Sequence, residues 1–194
     1  MATTFAAHGS NLASELGNYK SQLDDCISRV ERMTGDLSES DINWQPEPKR
    51  WSVAQCLDHL NKAAVTHVEA LPEVIRRAHE QGLTGEGSVR NGIIGGIFLK
   101  FTEPPVKFRV VAPRPFVPSS RLERTALLDE YGDLRQKMAD LMLAANGLNL
   151  GRVKLKFPPV PQLRFRLGTS FAVFLAHERR HLWQAENVLR ELQN

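Results

Sequence analysis

The chain is 194 residues long, 42% apolar and 24% charged, with a formal net charge of +3 and a pI near 9.0; that suffices for one well-cored domain over 1–194 and is short for two. Its Lys and Arg are dispersed rather than drawn into a stripe with interleaved aromatics, which argues against nucleic acid as a partner. No apolar run approaches the roughly 20 residues of a membrane span, the opening "MATTFAAHGSNLA" has no basic leader or secretory core, and two cysteines cannot build a disulfide framework, so the expectation is a soluble, cytoplasmic protein with no membrane partner.

Four segments carry a helical apolar stripe. In residues 10–34, Leu12, Leu16, Tyr19, Leu23, Cys26, Ile27, Val30 and Met33 alternate threes and fours, with Ser10 placed to cap the start and Gly35 to end the helix. The second segment opens at "WSVAQCLDHL" with Ser52 as N-cap and runs toward Gln81 on Val53, Leu57, Leu60, Ala64, His67, Leu71 and Val74. Within it Pro72 predicts a kink or break near Ala70–Leu71, because a mid-helix proline costs roughly 3 kcal/mol. The third opens at "SSRLERTALL", where Ser120 and Glu123 have capping-box spacing, and follows Leu127, Tyr131, Leu134, Met138, Leu141 and Ala145. The fourth covers roughly 169–192 through Phe171, Phe174, Leu175, His181, Leu182, Ala185, Val188, Leu189 and Leu192.

Four helices, each with one oily face, predict an all-α four-helix bundle. The runs "VKFRVV" and "VKLKF" alternate but are short and proline-flanked, so no strand is expected from them. The connection over 82–118 is long enough to let neighbouring helices run parallel. Together with residues 147–168 it supplies long loops to cover one end of the bundle, where small-molecule sites tend to form.

The last segment contains "HERRHLWQ", which sets His177 and His181 one turn apart on the same helix face. Two imidazoles so placed can address a common ion. Six histidines in 194 positions give about 0.2 such pairs by chance, so the spacing alone decides little. His59, in the second segment, is the partner that changes this, because in a bundle a facing helix can complete a site begun by an i, i+4 pair. His67, two turns further on, is the less favoured alternative, while His8 and His79 read as surface residues.

Cys56, one turn before His59, can serve as a thiolate ligand, although small apolar packing is the commoner fate of such a residue. Adjacent helix positions point about 100° apart, so Asp58 and Glu178 are expected to face water or a neighbouring helix. Arg179 and Arg180 are expected on the solvated face, and Gln184 is near enough in sequence to orient a ligand histidine. Trp44, Trp51 and Trp183 read as core and loop anchors.

"WSVAQCLDHL" followed by a distant "HERRHLWQ" resembles the DinB-like superfamily of metal-dependent four-helix-bundle proteins, the damage-inducible proteins unrelated to the polymerase of that name. The shared pattern is Trp51-Ser52 with His59 seven residues after the serine, then His177 and His181 in the last helix, and "NWQPEPKRW" resembles the loop before it. The resemblance implies an up-down-down-up bundle holding one divalent ion, zinc or nickel, through His59, His177 and His181.

Three neutral imidazoles leave at least one coordination position for water or substrate. The resemblance implies a metal-dependent S-transferase or isomerase that uses a low-molecular-weight thiol cosubstrate such as bacillithiol, mycothiol or glutathione, or a hydrolase in which water replaces the thiol. Either acts on a small-molecule substrate, with the histidines as ligands only, no catalytic base assigned, and the Pro-rich loops 103–118 and 155–163 shaping the pockets. The alternative is a non-catalytic, stress-related bundle that binds metal or a small ligand. Apolar helix backs are compatible with a homodimer, though no stripe stands out for it.

Overall fold

The computed structural model describes residues 13–85, 89, 91–105 and 111–193. Its bundle is built from α1 (Ser14–Thr34), α3 (Val53–Glu80), α5 (Arg124–Ala144) and α6 (Leu167–Leu192). A short α2 (Glu39–Asn43) lies before α3, α4 (Gly92–Thr102) between α3 and α5, and strands β1 (Lys154–Phe157) and β2 (Val160–Arg166) between α5 and α6.

Cross-helix contacts fix the directions. Tyr19 stacks near Phe171, Arg179 reaches Gln22 and Arg29 pairs with Glu186, so α1 and α6 run parallel. Asn61 bonds Leu127 and His79 bonds Ala144, so α3 and α5 also run parallel. Arg50 pairs with Glu191 while His67 meets Phe174, which makes α3 and α6 antiparallel. Arg124 bonds Thr34 and Ala13 bonds Asn146, which does the same for α1 and α5. The topology is up-down-down-up, and the long link between α3 and α5 is what permits their parallel pairing.

Local chemistry explains most helix boundaries. At α3, Ser52 accepts from Gln55 N while Gln55 Oε1 accepts from Ser52 N, a complete capping box. Helix α5 starts later than the sequence spacing suggests, because Glu123 is itself the N-cap: its carboxylate accepts from Thr125 N and Ala126 N, so Ser120 lies outside the helix. Helix α1 has Ala13 at its N-cap position with no side-chain cap, and Ser10 lies outside the described residues. Of the expected kink or break at Pro72, the break does not occur: helix α3 passes through that residue as one element. Leu71 is fully buried in one core cluster with Ile75, Leu141 and Met142, so packing holds the turn that proline weakens.

The connections hold more structure than expected. "KLKF" does form a strand: β1 pairs antiparallel with β2 through Leu155 and Phe165, turning Leu155, Phe157 and Phe165 inward. Helix α4 lies along α6, and Gly95 permits the approach, since a Cβ there would stand 2.7 Å from Thr169 Cγ2. Of "VKFRVV", residues 106–110 lie outside the described ones. The bundle half that carries the histidine pair has Leu57, Leu60 and Leu182 fully buried. Each such leucine contributes about 1.5–3 kcal/mol of burial. Among the described residues no helix is long and apolar enough to cross a membrane.

Candidate metal centre

His59 sits in the second turn of α3, and its antiparallel partner α6 brings His177 and His181 opposite it. Their ring centroids lie 5.0 Å and 4.4 Å from that of His59, and 4.5 Å from each other. One ring nitrogen from each of the three falls within 4.8 Å of the others, and Nε2 of His59 lies 3.1 Å from Nε2 of His177.

In two of the three rings the other nitrogen helps set the orientation. His59 Nδ1 donates to the carbonyl of Phe116 at 2.6 Å, and His181 Nδ1 donates to Gln184 Oε1 at 2.7 Å. Both Nε2 atoms are thereby left as lone-pair acceptors, the arrangement that metal-bound imidazoles use to fix their tautomer. Two nitrogens each about 2.0–2.1 Å from one zinc ion, at a near-tetrahedral angle, stand about 3.3 Å apart. The 3.1 Å separation of His59 and His177 fits that donor set. Trp51 closes one side, its ring 4.9 Å from His59 and 5.7 Å from His181.

Electrostatics agree with the geometry. Burial holds the His177 and His181 imidazoles well below their ordinary pKa, and lowers His59 as well, with the carbonyl of Phe116 partly opposing that shift. The positive charge of Arg180 bears on all three rings in the same direction. The rings are therefore neutral at physiological pH, as ligands must be. His59 and His181 are buried, and His177 is half-buried.

The loop over 114–119 is tied down around this point. A single 3₁₀ turn, Arg114–Phe116, presents the Phe116 carbonyl, Asp58 accepts from Ser119 N at 2.7 Å, and Lys62 donates to Val117 O at 2.9 Å. Asp58 also pairs with Lys62, so its carboxylate faces the loop rather than the histidines.

Several sequence readings are corrected here. Arg180 is buried and donates to the Phe101 carbonyl, and Arg179 pairs with Glu103 and Gln22, so neither lies simply in solvent. Glu178 is fully buried against Arg135 and Tyr131 of α5, the neighbouring-helix outcome for that residue. Cys56 is buried, its thiol pushed up to about 12 by burial, and it stands outside the cluster. His67 is packed between Phe157 and Phe174. His79 bonds Ala144 O, and His8 lies outside the described residues. Sequence reasoning missed Trp51 as a wall of the site, and Phe116, whose part is played by its backbone and leaves no side-chain signal.

The sequence pattern of the DinB superfamily matches residues 22–185, a span that contains all three histidines. Among solved structures the fold is similar to YfiT from Bacillus subtilis, with a TM-score of 0.57 at 10% sequence identity, covering 97% of this chain and 94% of that one. YfiT is described as a probable metal-dependent hydrolase with an unusual four-helix bundle topology. No curated protein matches the sequence.

Proposed function

The chain belongs to the DinB superfamily, and from that premise we propose that it is a divalent-metal-dependent enzyme acting on a small molecule, with His59, His177 and His181 holding the ion. One observation carries this reading: three neutral imidazoles converge from two helices, two of them with Nδ1 engaged so that Nε2 is the donor left over. An all-imidazole set suits zinc, nickel, copper or iron, and of these the family resemblance favours zinc or nickel. When bound, such an ion supplies Lewis acidity that would bring the pKa of a coordinated water to near neutrality and hold a coordinated thiol as thiolate.

The chain's own residues set what that chemistry is used for. No carboxylate joins the histidine cluster among the described residues, and the nearest in sequence, Asp58 and Glu178, are engaged by Ser119 with Lys62 and by Arg135 with Tyr131. A nucleophile used here needs no side-chain base, which favours a low-molecular-weight thiol held as thiolate, with water as the hydrolytic variant. The charge of Arg180, which bears on all three rings, favours an anionic nucleophile, while that of Lys62 is offset by Asp58.

The test is to load the purified protein with zinc or nickel and count the bound metal. Conjugation of a model electrophile with bacillithiol, mycothiol and glutathione is then assayed beside thiol-free hydrolysis of a p-nitrophenyl ester. One equivalent of metal and turnover that vanishes in His177→Ala are expected. Equal rates in the two proteins would remove the proposal.

A further inference from the structure

Helix α5 contributes no histidine to the centre, yet one of its side chains touches both helices that do. Arg135 is fully buried. Its Nη2 and Nε donate to the two oxygens of Glu178 on α6, at 2.7 Å and 3.2 Å, and its Nη1 donates to Asn61 Oδ1 on α3 at 2.5 Å. Tyr131 completes the fork: its hydroxyl donates to Glu178 at 2.8 Å, and its ring lies 3.6 Å beneath the guanidinium carbon. Asn61 in turn donates to the Leu127 carbonyl and to Glu130.

The placement of the two ends matters. Glu178 follows His177 directly, and Asn61 stands two residues after His59. On a helix, neighbouring positions point about 100° apart. His177 and His181 then stand about 100° and about 60° round the helix from Glu178, both on the same side of it, so turning Glu178 toward α5 presents both histidines to α3. Asn61 likewise sets the rotation of α3 that presents His59. An apolar interface tolerates small rotations of a helix about its own axis, whereas a bidentate guanidinium–carboxylate contact does not.

We propose that Arg135 is a positioning residue that locks the rotation of α3 and α6 through Asn61 and Glu178, so that the three imidazoles meet at one point. The inference rests on the metal-binding reading above and deepens it. It also explains why a bundle core holds a buried ion pair at all, since such a pair is often no more stabilising than apolar residues of the same volume.

That last point supplies the experiment. Cobalt(II) is titrated into wild type and into the double variant Arg135→Met with Glu178→Leu, following the visible d–d absorption, and each protein is also melted. The double variant is expected to keep a cooperative transition near or above that of wild type. It should nonetheless bind cobalt 10- to 100-fold more weakly, with an altered band envelope. Arg135→Lys, which keeps the charge but loses the fork, falls between the two. A purely structural role would move melting and affinity together.

Wild-type affinity and an unchanged spectrum in the double variant would overturn the proposal. If that variant does not fold, Asn61→Ala decides instead: it leaves the ion pair in place and severs only the tie to α3, and undiminished cobalt affinity there overturns the proposal equally. Failure of wild type itself to bind one equivalent of cobalt would instead mark the three-imidazole reading as wrong, and the proposal falls with it.

Discussion

Gln184 Oε1 lies 2.7 Å from Nδ1 of His181, three residues before it on α6. This single bond selects the tautomer in which Nε2 of His181 carries a lone pair. Removing it frees the ring to rotate and to protonate at either nitrogen. Gln184→Leu is expected to weaken zinc binding by about 10- to 100-fold while leaving the helical circular dichroism unchanged. Gln184→Glu, which keeps an acceptor at the same place, should retain most of the affinity. A competition titration against a chromophoric chelator reads both; equal constants for Leu and wild type would refute the role.

Depressed imidazole pKa values change how metal binding responds to acid. Three ordinary imidazoles at pH 6 would lose roughly 70-fold in affinity to proton competition. Here burial, with the Arg180 charge, pushes all three below the ordinary value, so few protons have to leave at pH 6. Zinc at 100 times its dissociation constant should stabilise the protein by about 2.7 kcal/mol, which is about 5–10 °C in melting temperature. Most of that shift should persist at pH 6. A shift that disappears between pH 7.5 and pH 6 would show that the rings titrate normally, and one that also appears in His59→Ala would place the ion elsewhere.

His67 makes a stability prediction with a definite sign. Its Nδ1 donates to the Ala63 carbonyl at 3.1 Å, its Nε2 is buried without a partner, and burial pulls its pKa down from 6.5 to about 4. The unfolded chain therefore binds a proton that the folded chain refuses between pH 6.5 and pH 4, so stability falls as pH falls through that window. The loss reaches about 3 kcal/mol. In His67→Phe that part of the acid sensitivity should vanish, whatever the variant's stability at pH 7. Urea unfolding of both proteins at pH 7 and pH 4.5 measures it, and parallel losses would contradict the assignment.

The two thiols should be inert. Burial pushes both Cys26 and Cys56 up to about 12, so neither is a thiolate at neutral pH. A chromogenic disulfide reagent at pH 8 should label neither in the native protein and both in guanidinium. Cys56→Ala should change zinc affinity by less than about two-fold, since a packed thiol acts as a small apolar group. A ten-fold loss would instead reveal a fourth ligand.

The parts of this architecture legible in sequence are those written in local period or local chemistry. The four apolar stripes, the Ser52 cap and the His177–His181 pair are of this kind, and the structure brings His59 to that pair. What escaped the sequence depends on distant partners. Strand β1 is too short to declare itself until β2 and the rings of Phe98 and Phe165 give it a surface to cover. Pro72 reads as a kink or break because the compensating burial of Leu71 is supplied by distant core residues, Leu141 and Met142 of α5 among them. Glu123 caps α5 by accepting from the amides of Thr125 and Ala126, which competes successfully with the Ser120 spacing. Arg135 did leave a trace: it stands four residues after Tyr131, on the inward stripe of α5, where a solvated arginine does not belong.

The Phe116 carbonyl that holds His59 belongs to the loop strapped onto α3 by Asp58 and Lys62. The aim of one imidazole consequently depends on a loop as well as on a helix. Changing the length of the link between α4 and α5 would register first as a swivelled His59 ring, well before the bundle noticed the change.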